Sequence, residues 1–196
     1  MGAASDLRQP SLLDRLAGLV HDRVDDVLDA PVDVGARDPE LIASVLERVD
    51  LALKWFDPEV QGMERLPDEG PFLIAANHSG GLFMPDFWAF QSAWARERGP
   101  DPPLFSLGFD LVFSLPGMAD VGRRLGSVPA RPETGAELLR QGAAVLVYPG
   151  GDEDDYRPWT ERHRIDLHGH TGFVRLALRS GVPVVPLVSH GSHDAL

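Results

Sequence analysis

The sequence predicts an α/β fold: a mainly parallel central sheet flanked by helices and preceded by an N-terminal helical segment. Three observations point there. From residue 71 onward, short apolar runs alternate with stretches of helical periodicity, the order of a parallel sheet with crossover helices. One of those runs stops at a histidine followed by two glycines, which puts the histidine at the carboxyl end of a strand, where α/β proteins keep their chemistry. The length of 196 residues suits a single sizeable core.

Taken in order, residues 11–30 alternate Leu and Val with Asp and Arg at helical spacing, which predicts a first helix. After a joint at Gly35 to Asp38, Asp38-Pro39-Glu40 opens a second helix with a capping side chain and a proline in the first turn. Ile42, Val45, Leu46, Val49, Leu53 and Phe56 share one face of it. That face is expected to pack on the domain rather than on a membrane, because the opposite face is acidic. Strands are predicted at 71–76, 104–107, 144–148 and 183–188, with helices near 85–98, 117–124, 133–141 and 171–180. The expected division is therefore a helical segment over 1–58 and an α/β domain over 59–196, with no repeats and no low-complexity tract.

Composition narrows the function. The net charge of −12 lies entirely in the first part: residues 1–120 hold 21 acidic and 9 basic side chains, and the remainder holds 9 of each. An acidic chain is a poor nonspecific ligand for nucleic acid, so no nucleic-acid partner is expected. The balanced second part could receive anionic groups through Arg123, Arg124, Arg131, Arg157, Arg162, Arg164 or Arg175; the plain alternative for each is a solvated counter-charge. The absence of cysteine fits a reducing compartment. No run approaches the ~20 apolar residues of a membrane span, and the first ten residues do not read as a secretory signal.

The most informative stretch is Phe72-Leu73-Ile74-Ala75-Ala76-Asn77-His78-Ser79-Gly80-Gly81, with Asp86 eight residues past the histidine. It is preceded by Gly62-Met63-Glu64-Arg65-Leu66-Pro67 and Gly70-Pro71. It is followed by Leu125-Gly126-Ser127-Val128-Pro129-Ala130-Arg131, by Val145-Leu146-Val147-Tyr148-Pro149-Gly150-Gly151, and by Gly181-Val182-Pro183-Val184-Val185-Pro186-Leu187. In this order the blocks resemble those of the glycerolipid acyltransferase superfamily, which contains the glycerol-phosphate and lysophosphatidate acyltransferases, and especially its Asn-His-Ser-Gly-Gly variants. Five ordered matches over residues 60–187 are far more specific than any one motif. The resemblance implies that His78 is the general base and that a nearby aspartate, here Asp86, orients it. It further implies substrate-binding roles for Asn77, Ser79, Gly80, Gly81, Arg131, Pro149, Gly150 and Gly151. Members of that family continue past the point where this sequence stops, so it resembles either a short member or one truncated at the C-terminus.

Two departures bear on the substrate. The family's first block is His-x4-Asp, whereas position 83 is Phe; its third is Pro-Glu-Gly, whereas the middle residue is Gly150. Both resemble neutral-lipid and broad-specificity branches more than the lysophosphatidate branch.

Acyl transfer from a thioester to a hydroxyl needs a base, donors for the oxyanion and a slot for the chain. His78 titrates near neutrality. Asp86 could fix its tautomer if Ser79–Pro85 loops back, or could merely start a helix after Pro85; Asp110 is the other carboxylate to inspect. The Gly80-Gly81 and Gly150-Gly151 amides could hold the oxyanion or the donor's phosphates, or could simply be two tight turns. Arg131 could fork onto a phosphate or pair with Glu133 or Glu137. The cluster Phe83, Met84, Phe87, Trp88, Phe90, Trp94, Phe105, Phe109, Phe113 and Leu115 reads as core, as acyl slot, or as both.

The expected activity is transfer of a fatty acyl group from acyl-CoA or an acyl-carrier protein to the hydroxyl of a lysophospholipid or other lipid acceptor. No metal or other cofactor is expected, and the location is expected to be cytoplasmic with peripheral membrane contact. Two alternatives stand beside it. One is a noncatalytic lipid-binding domain of the same fold. The other is a metal-dependent hydrolase built on His163, Asp166, His168 and His170 beside the acidic run 152–155, a segment that otherwise reads as a solvated loop.

Overall fold

Residues 30–99, 103–108, 110, 113, 115 and 117–195 are described by a computed structural model. The helix expected over 11–30 falls, save for Ala30, outside the described residues, as does Phe109.

Helix α1 spans Pro39–Leu53 and begins as its sequence directs, with the Asp38 side chain accepting from the Leu41 amide at 2.9 Å and proline at the first turn. The same carboxylate reaches Arg124 at 2.7 Å, so the cap also ties α1 to the far end of helix α3, Met118–Leu125. Leu46 and Leu53 are buried, while Phe56, expected on that face, lies beyond the helix end and is exposed. Ser92 of helix α2, Pro85–Glu97, donates to Asp50 and fixes the α1–α2 packing.

Five strands form one parallel sheet in the order β3-β2-β4-β1-β5: β1 Phe72–Ala76, β2 Leu104–Gly108, β3 Ser127–Pro129, β4 Ala144–Val147 and β5 Val184–Leu187. Of the inner strands, β1 and β4 are apolar without interruption because helices cover both faces, and β2 is broken only by Ser106. Alternation still sorts the side chains. Phe72 and Ile74 point to one core with Leu146, Phe90 and Trp94, and Leu73 points to the other with Val145, Phe105, Leu138 and Leu176. The second core is closed by helices α4, Pro132–Arg140, and α6, Gly172–Ser180.

Strand β3 and the short helix α5, Gly151–Asp155, have no counterpart in the predicted elements. Strand β3 has only three residues, too few for a period-2 signal, and is held by the ladder to β2 and by a 2.5 Å contact between Ser106 Oγ and Ser127 Oγ. Because every strand pair is parallel, the residues that follow β1, β3, β4 and β5 emerge on one edge of the sheet, and the candidate site residues are among them.

Phe72 is fully buried and lies against Trp94, with ring centroids 6.1 Å apart. Phe72→Ala should cost about 3–5 kcal/mol of stability in urea unfolding at an unchanged m-value. Leu51→Ala, on a side chain 69% exposed, should stay within about 0.5 kcal/mol.

Candidate active site

The site starts where the β1 ladder ends. Its last pair is Ala76 with Leu187, and one step later the Asn77 side chain takes over the backbone's work. Asn77 Nδ2 donates to the Ser189 carbonyl at 2.9 Å, and the Ser189 amide donates to Asn77 Oδ1 at 2.8 Å. This two-bond clasp holds the chain beyond β1 to the chain beyond β5 and fixes the direction in which His78 leaves the sheet.

The segment from Ser79 to Pro85 turns back sharply. Gly80 has φ 107°, and a Cβ there would stand 2.4 Å from Cδ of Pro85, so the proline ring packs directly on the glycine. Met84 follows in the left-handed region at φ 41°, and Pro85 then starts α2. Asp86 therefore arrives in the first turn of α2, where the helix dipole favours negative charge. Its Oδ2 accepts from His78 Nδ1 at 2.8 Å and from the Ser79 amide at 3.2 Å. Starting a helix and facing the histidine are thus one placement.

With Nδ1–H donated to Asp86, the lone pair of His78 lies on Nε2, the nitrogen a base uses. Asp155 Oδ1 stands 4.0 Å from Nε2 and accepts from the Gly81 amide at 2.9 Å. The Tyr148 ring packs on the imidazole, with centroids 4.2 Å apart. Burial of the ring pulls the His78 pKa down, but the hydrogen bond and charge of Asp86, with the charges of Asp155 and Asp154, outweigh it and leave the pKa above the usual 6.5. Burial pushes the Asp155 carboxyl up, only partly countered by His78 and the Gly81 amide. Burial, reinforced by Asp86 and Asp155, pushes the Tyr148 phenol well above the usual 10.

The Pro-Gly-Gly turn after β4 feeds α5 beneath this histidine. Asp154, 1% exposed, accepts from the His78 amide through Oδ2 at 2.7 Å. Arg157 Nη1 donates to the His78 carbonyl at 2.8 Å, to Asp154 Oδ1 at 2.7 Å and to the Asp154 carbonyl. Gly150 is hemmed in: a Cβ there would lie 2.4 Å from the Asp154 Cβ.

Two expected oxyanion donors are engaged inside the protein: the Gly81 amide donates to Asp155 and the Gly151 amide to the Tyr148 carbonyl at 3.0 Å. The Pro149 carbonyl meets His170 Nδ1 at 2.8 Å, and Ser79 is buried. Arg131 opens α4 just after β3, on the same edge of the sheet as His78 but three strands away, roughly 14 Å at the usual strand spacing. It reaches Asp110 at 3.7 Å, while Glu137 is engaged by Arg140 at 2.8 Å. The imidazole is thus met by Asp86, and Asp110 stands by Arg131. His168 pairs with Glu153 at 3.2 Å, Arg164 with Asp166 at 2.7 Å, and His163 stacks on His190. No three His, Asp or Glu side chains among the described residues group as metal ligands.

Asp154 and Asp155 were not singled out for the site from sequence, and Arg157, named only among the arginines that could receive anionic groups, is instead buried against Asp154. The acidic run 152–155 entered the sequence reading only as the neighbour of a possible metal site, yet two of its four carboxylates are buried. The signal for the two acids was position, directly after a glycine turn at the carboxyl end of a buried strand.

A cleft of about 870 Å³ opens beside the site between the end of α1 and the turns after β1 and β5. Polar Asn77, Asp86 and Tyr148, apolar Phe56, Val60, Phe90 and Leu187, and acidic Asp57, Glu59 and Asp194 line it, and His78 stands behind Asp86 and Tyr148 rather than in the lining. Among the described residues no Lys or Arg lines it. Asp86 Oδ1 and the Tyr148 hydroxyl are buried and make no hydrogen bond among the described residues. At the cleft, Trp55 is 89% and Val188 69% exposed.

A sequence model of the family described as Acyltransferase matches residues 57–190. An uncharacterized protein of Mycobacterium tuberculosis is 31% identical over 192 residues, covering 97% of this chain and 52% of its own length. The human DGAT1/2-independent enzyme synthesizing storage lipids is 29% identical over 143 residues, covering 73% of this chain and 43% of its own. Phytyl ester synthase 2, chloroplastic, of Arabidopsis thaliana is 29% identical over 138 residues, covering 69% and 20%. The chain spans about half the length of the mycobacterial relatives it matches. No solved structure matches it.

The contacts at His78 set an expectation that requires no substrate. Followed by NMR, the imidazole should titrate above 6.5, and Asp86→Asn should lower that value by removing both the hydrogen bond and the charge that raise it. An unchanged titration in a folded variant would show that Asp86 does not govern the ring.

Proposed function

The chain belongs to the acyltransferase family, and on that premise we propose that it transfers a fatty acyl group from a thioester, acyl-CoA or acyl-carrier protein, to the hydroxyl of a lipid acceptor, with His78 as general base. One observation carries the reading: the 2.8 Å pairing of His78 Nδ1 with Asp86, which leaves Nε2 as the basic nitrogen.

In this mechanism Nε2 takes the proton of the acceptor hydroxyl while its oxygen bonds to the thioester carbonyl carbon. The resulting oxyanion is met by backbone amides, for which Gly80 and Gly150 are candidates. As the carbon–sulfur bond breaks, the imidazolium returns its proton to the leaving thiolate. Asp86 and Asp155 both favour the transient cation.

The cleft supports a lipid substrate, having both apolar and polar side chains in its lining. Its acidic surroundings and lack of lining arginine or lysine favour an acceptor whose hydroxyl is not beside a phosphate. Such acceptors accord with relatives whose names speak of storage lipids and phytyl esters. We assign Arg131, on the same edge of the sheet but some 14 Å away, to an anionic part of the substrate remote from the reacting carbon, such as the phosphates of a donor. No helix among the described residues is long and apolar enough to cross a membrane. Trp55 and Val188, exposed beside the cleft, are the side chains we assign to peripheral contact with a lipid surface, for a protein working on the cytoplasmic side.

Products formed from acyl-CoA and a panel of alcohol and lysophospholipid acceptors, identified by mass spectrometry, test this directly. His78→Ala should lower turnover by roughly 10²–10⁴-fold with the fold intact, and near-normal turnover would sink the mechanism. For the wild type, kcat/KM should rise with pH through a midpoint above 6.5, because the base must lose its proton before it can act. Arg131→Ala should raise KM for whichever substrate carries phosphate and spare a phosphate-free one; equal, small effects on both would make Arg131 structural.

A further inference from the structure

Proton transfer requires that the imidazole be held in place, and its one side-chain hydrogen bond is to Asp86 at Nδ1, with Tyr148 packed on the ring. The other anchor is the backbone of His78 itself, engaged at both of its flanking peptide groups. Its N–H is held by Asp154 Oδ2 at 2.7 Å and its C=O by Arg157 Nη1 at 2.8 Å, and the two side chains are joined to each other at 2.7 Å. Both are buried, and both come from the turn region after the Pro-Gly-Gly block.

We propose that Asp154 and Arg157 are positioning residues, a clamp on the His78 backbone that aims the imidazole, and that position 150 is glycine because Asp154 fills the space a side chain there would need. The proposal rests on the reading of His78 as base. A Cβ on residue 150 would meet Asp154 Cβ at 2.4 Å, Asp154 Cγ at 2.9 Å and the Asp166 carbonyl oxygen at 3.1 Å. Any side chain at 150 must therefore displace Asp154 from the His78 amide.

The chemistry of the clamp calls for a carboxylate and a cation. Each Asp154 oxygen receives a donor, Oδ2 from His78 and Oδ1 from Arg157. An asparagine would turn its NH₂ towards one of them. Arg157 makes all three of its contacts through the single nitrogen Nη1, a task that a lysine ammonium with three donors can take over in part. The charged and titratable groups facing His78 are Asp86 from α2, Asp154 and Asp155 from α5, Arg157 just beyond it and Tyr148 after β4.

The test compares Asp154→Ala, Asp154→Asn, Gly150→Ala, Arg157→Ala and Arg157→Lys with Glu153→Gln, an exposed neighbour that pairs with His168 and should keep wild-type turnover. Asp154→Ala, Asp154→Asn and Gly150→Ala should lower kcat by about 10²-fold, the scale of a misplaced reacting group, with KM for the thioester moving little. Arg157→Lys should retain clearly more turnover than Arg157→Ala. Two readouts need no turnover. The His78 amide should exchange slowly in the wild type and quickly in the Asp154 variants, and the His78 imidazole should titrate lower in Asp154→Asn. A folded Asp154 variant with wild-type kcat and an unchanged His78 amide would overturn the clamp. Should Asp154→Ala fail to fold, the two Arg157 variants and Asp154→Asn decide. A wild type that transfers no acyl group would instead sink the reading of the enzyme, while exchange and titration would still decide whether Asp154 holds His78.

Discussion

Asp154 is the group around which the site is assembled, because a carboxylate with 1% of its surface exposed cannot be left without donors. A buried ion pair contributes little net stability, yet removing one partner costs ~3–5 kcal/mol by stranding the other charge. The donors that satisfy Asp154 are the His78 amide and Arg157, and Arg157 in turn needs the His78 carbonyl. Once α5 places the carboxylate beneath the end of β1, the histidine's backbone is fixed by the same bonds that make the burial tolerable. Stability and placement of His78 are here one requirement.

The sheet supplies the frame in which this works. Parallel pairing brings the turns after β1, β4 and β5 to one edge, and the Asn77–Ser189 clasp extends the β1–β5 ladder one step past its last backbone pair. Gly80 then admits the Pro85 ring at a distance no side chain would allow, which closes the loop tightly enough for the first turn of α2 to face the imidazole. The longer His-to-Asp spacing in this chain is accommodated by that close approach together with the left-handed turn at Met84.

How much of this was legible in the sequence follows from how each feature is encoded. Strands β1 and β4 and helix α1 carry strong local signals: apolar runs in the strands, and an Asp-Pro start with a periodic face in the helix. They lie where expected. Strand β3 is three residues long and owes its pairing to neighbours distant in sequence, so no local pattern announces it. His78 and Asp86 were legible as a pair because glycines and a proline mark the turn between them, although the spacing alone left open whether Asp86 did more than start a helix. Asp154 was not, because nothing local shows which member of an acidic run faces inward, and Arg157 read as one of several arginines that receive anions or stand in solvent. The glycine at 150 looked like a lost glutamate; beside Asp154 it is the residue that leaves room for a carboxylate supplied four positions later.

The electrostatic setting of His78 is a balance between opposed effects. Burial alone would make the imidazole a weak base, largely neutral but reluctant to accept a proton. Three carboxylates from α2 and α5 reverse the sign and raise its pKa, which strengthens the base but commits a larger fraction of it to the protonated form near neutrality. A base is most effective when these tendencies meet near the working pH, so none of the three charges is independent of the others. Asp86 sets the tautomer, Asp155 faces Nε2, and Asp154 acts through the backbone as well as through its field. Arg157, the cation bound to Asp154, offsets part of that field. The pair can therefore hold the histidine in place without adding a full negative charge to a site already rich in them.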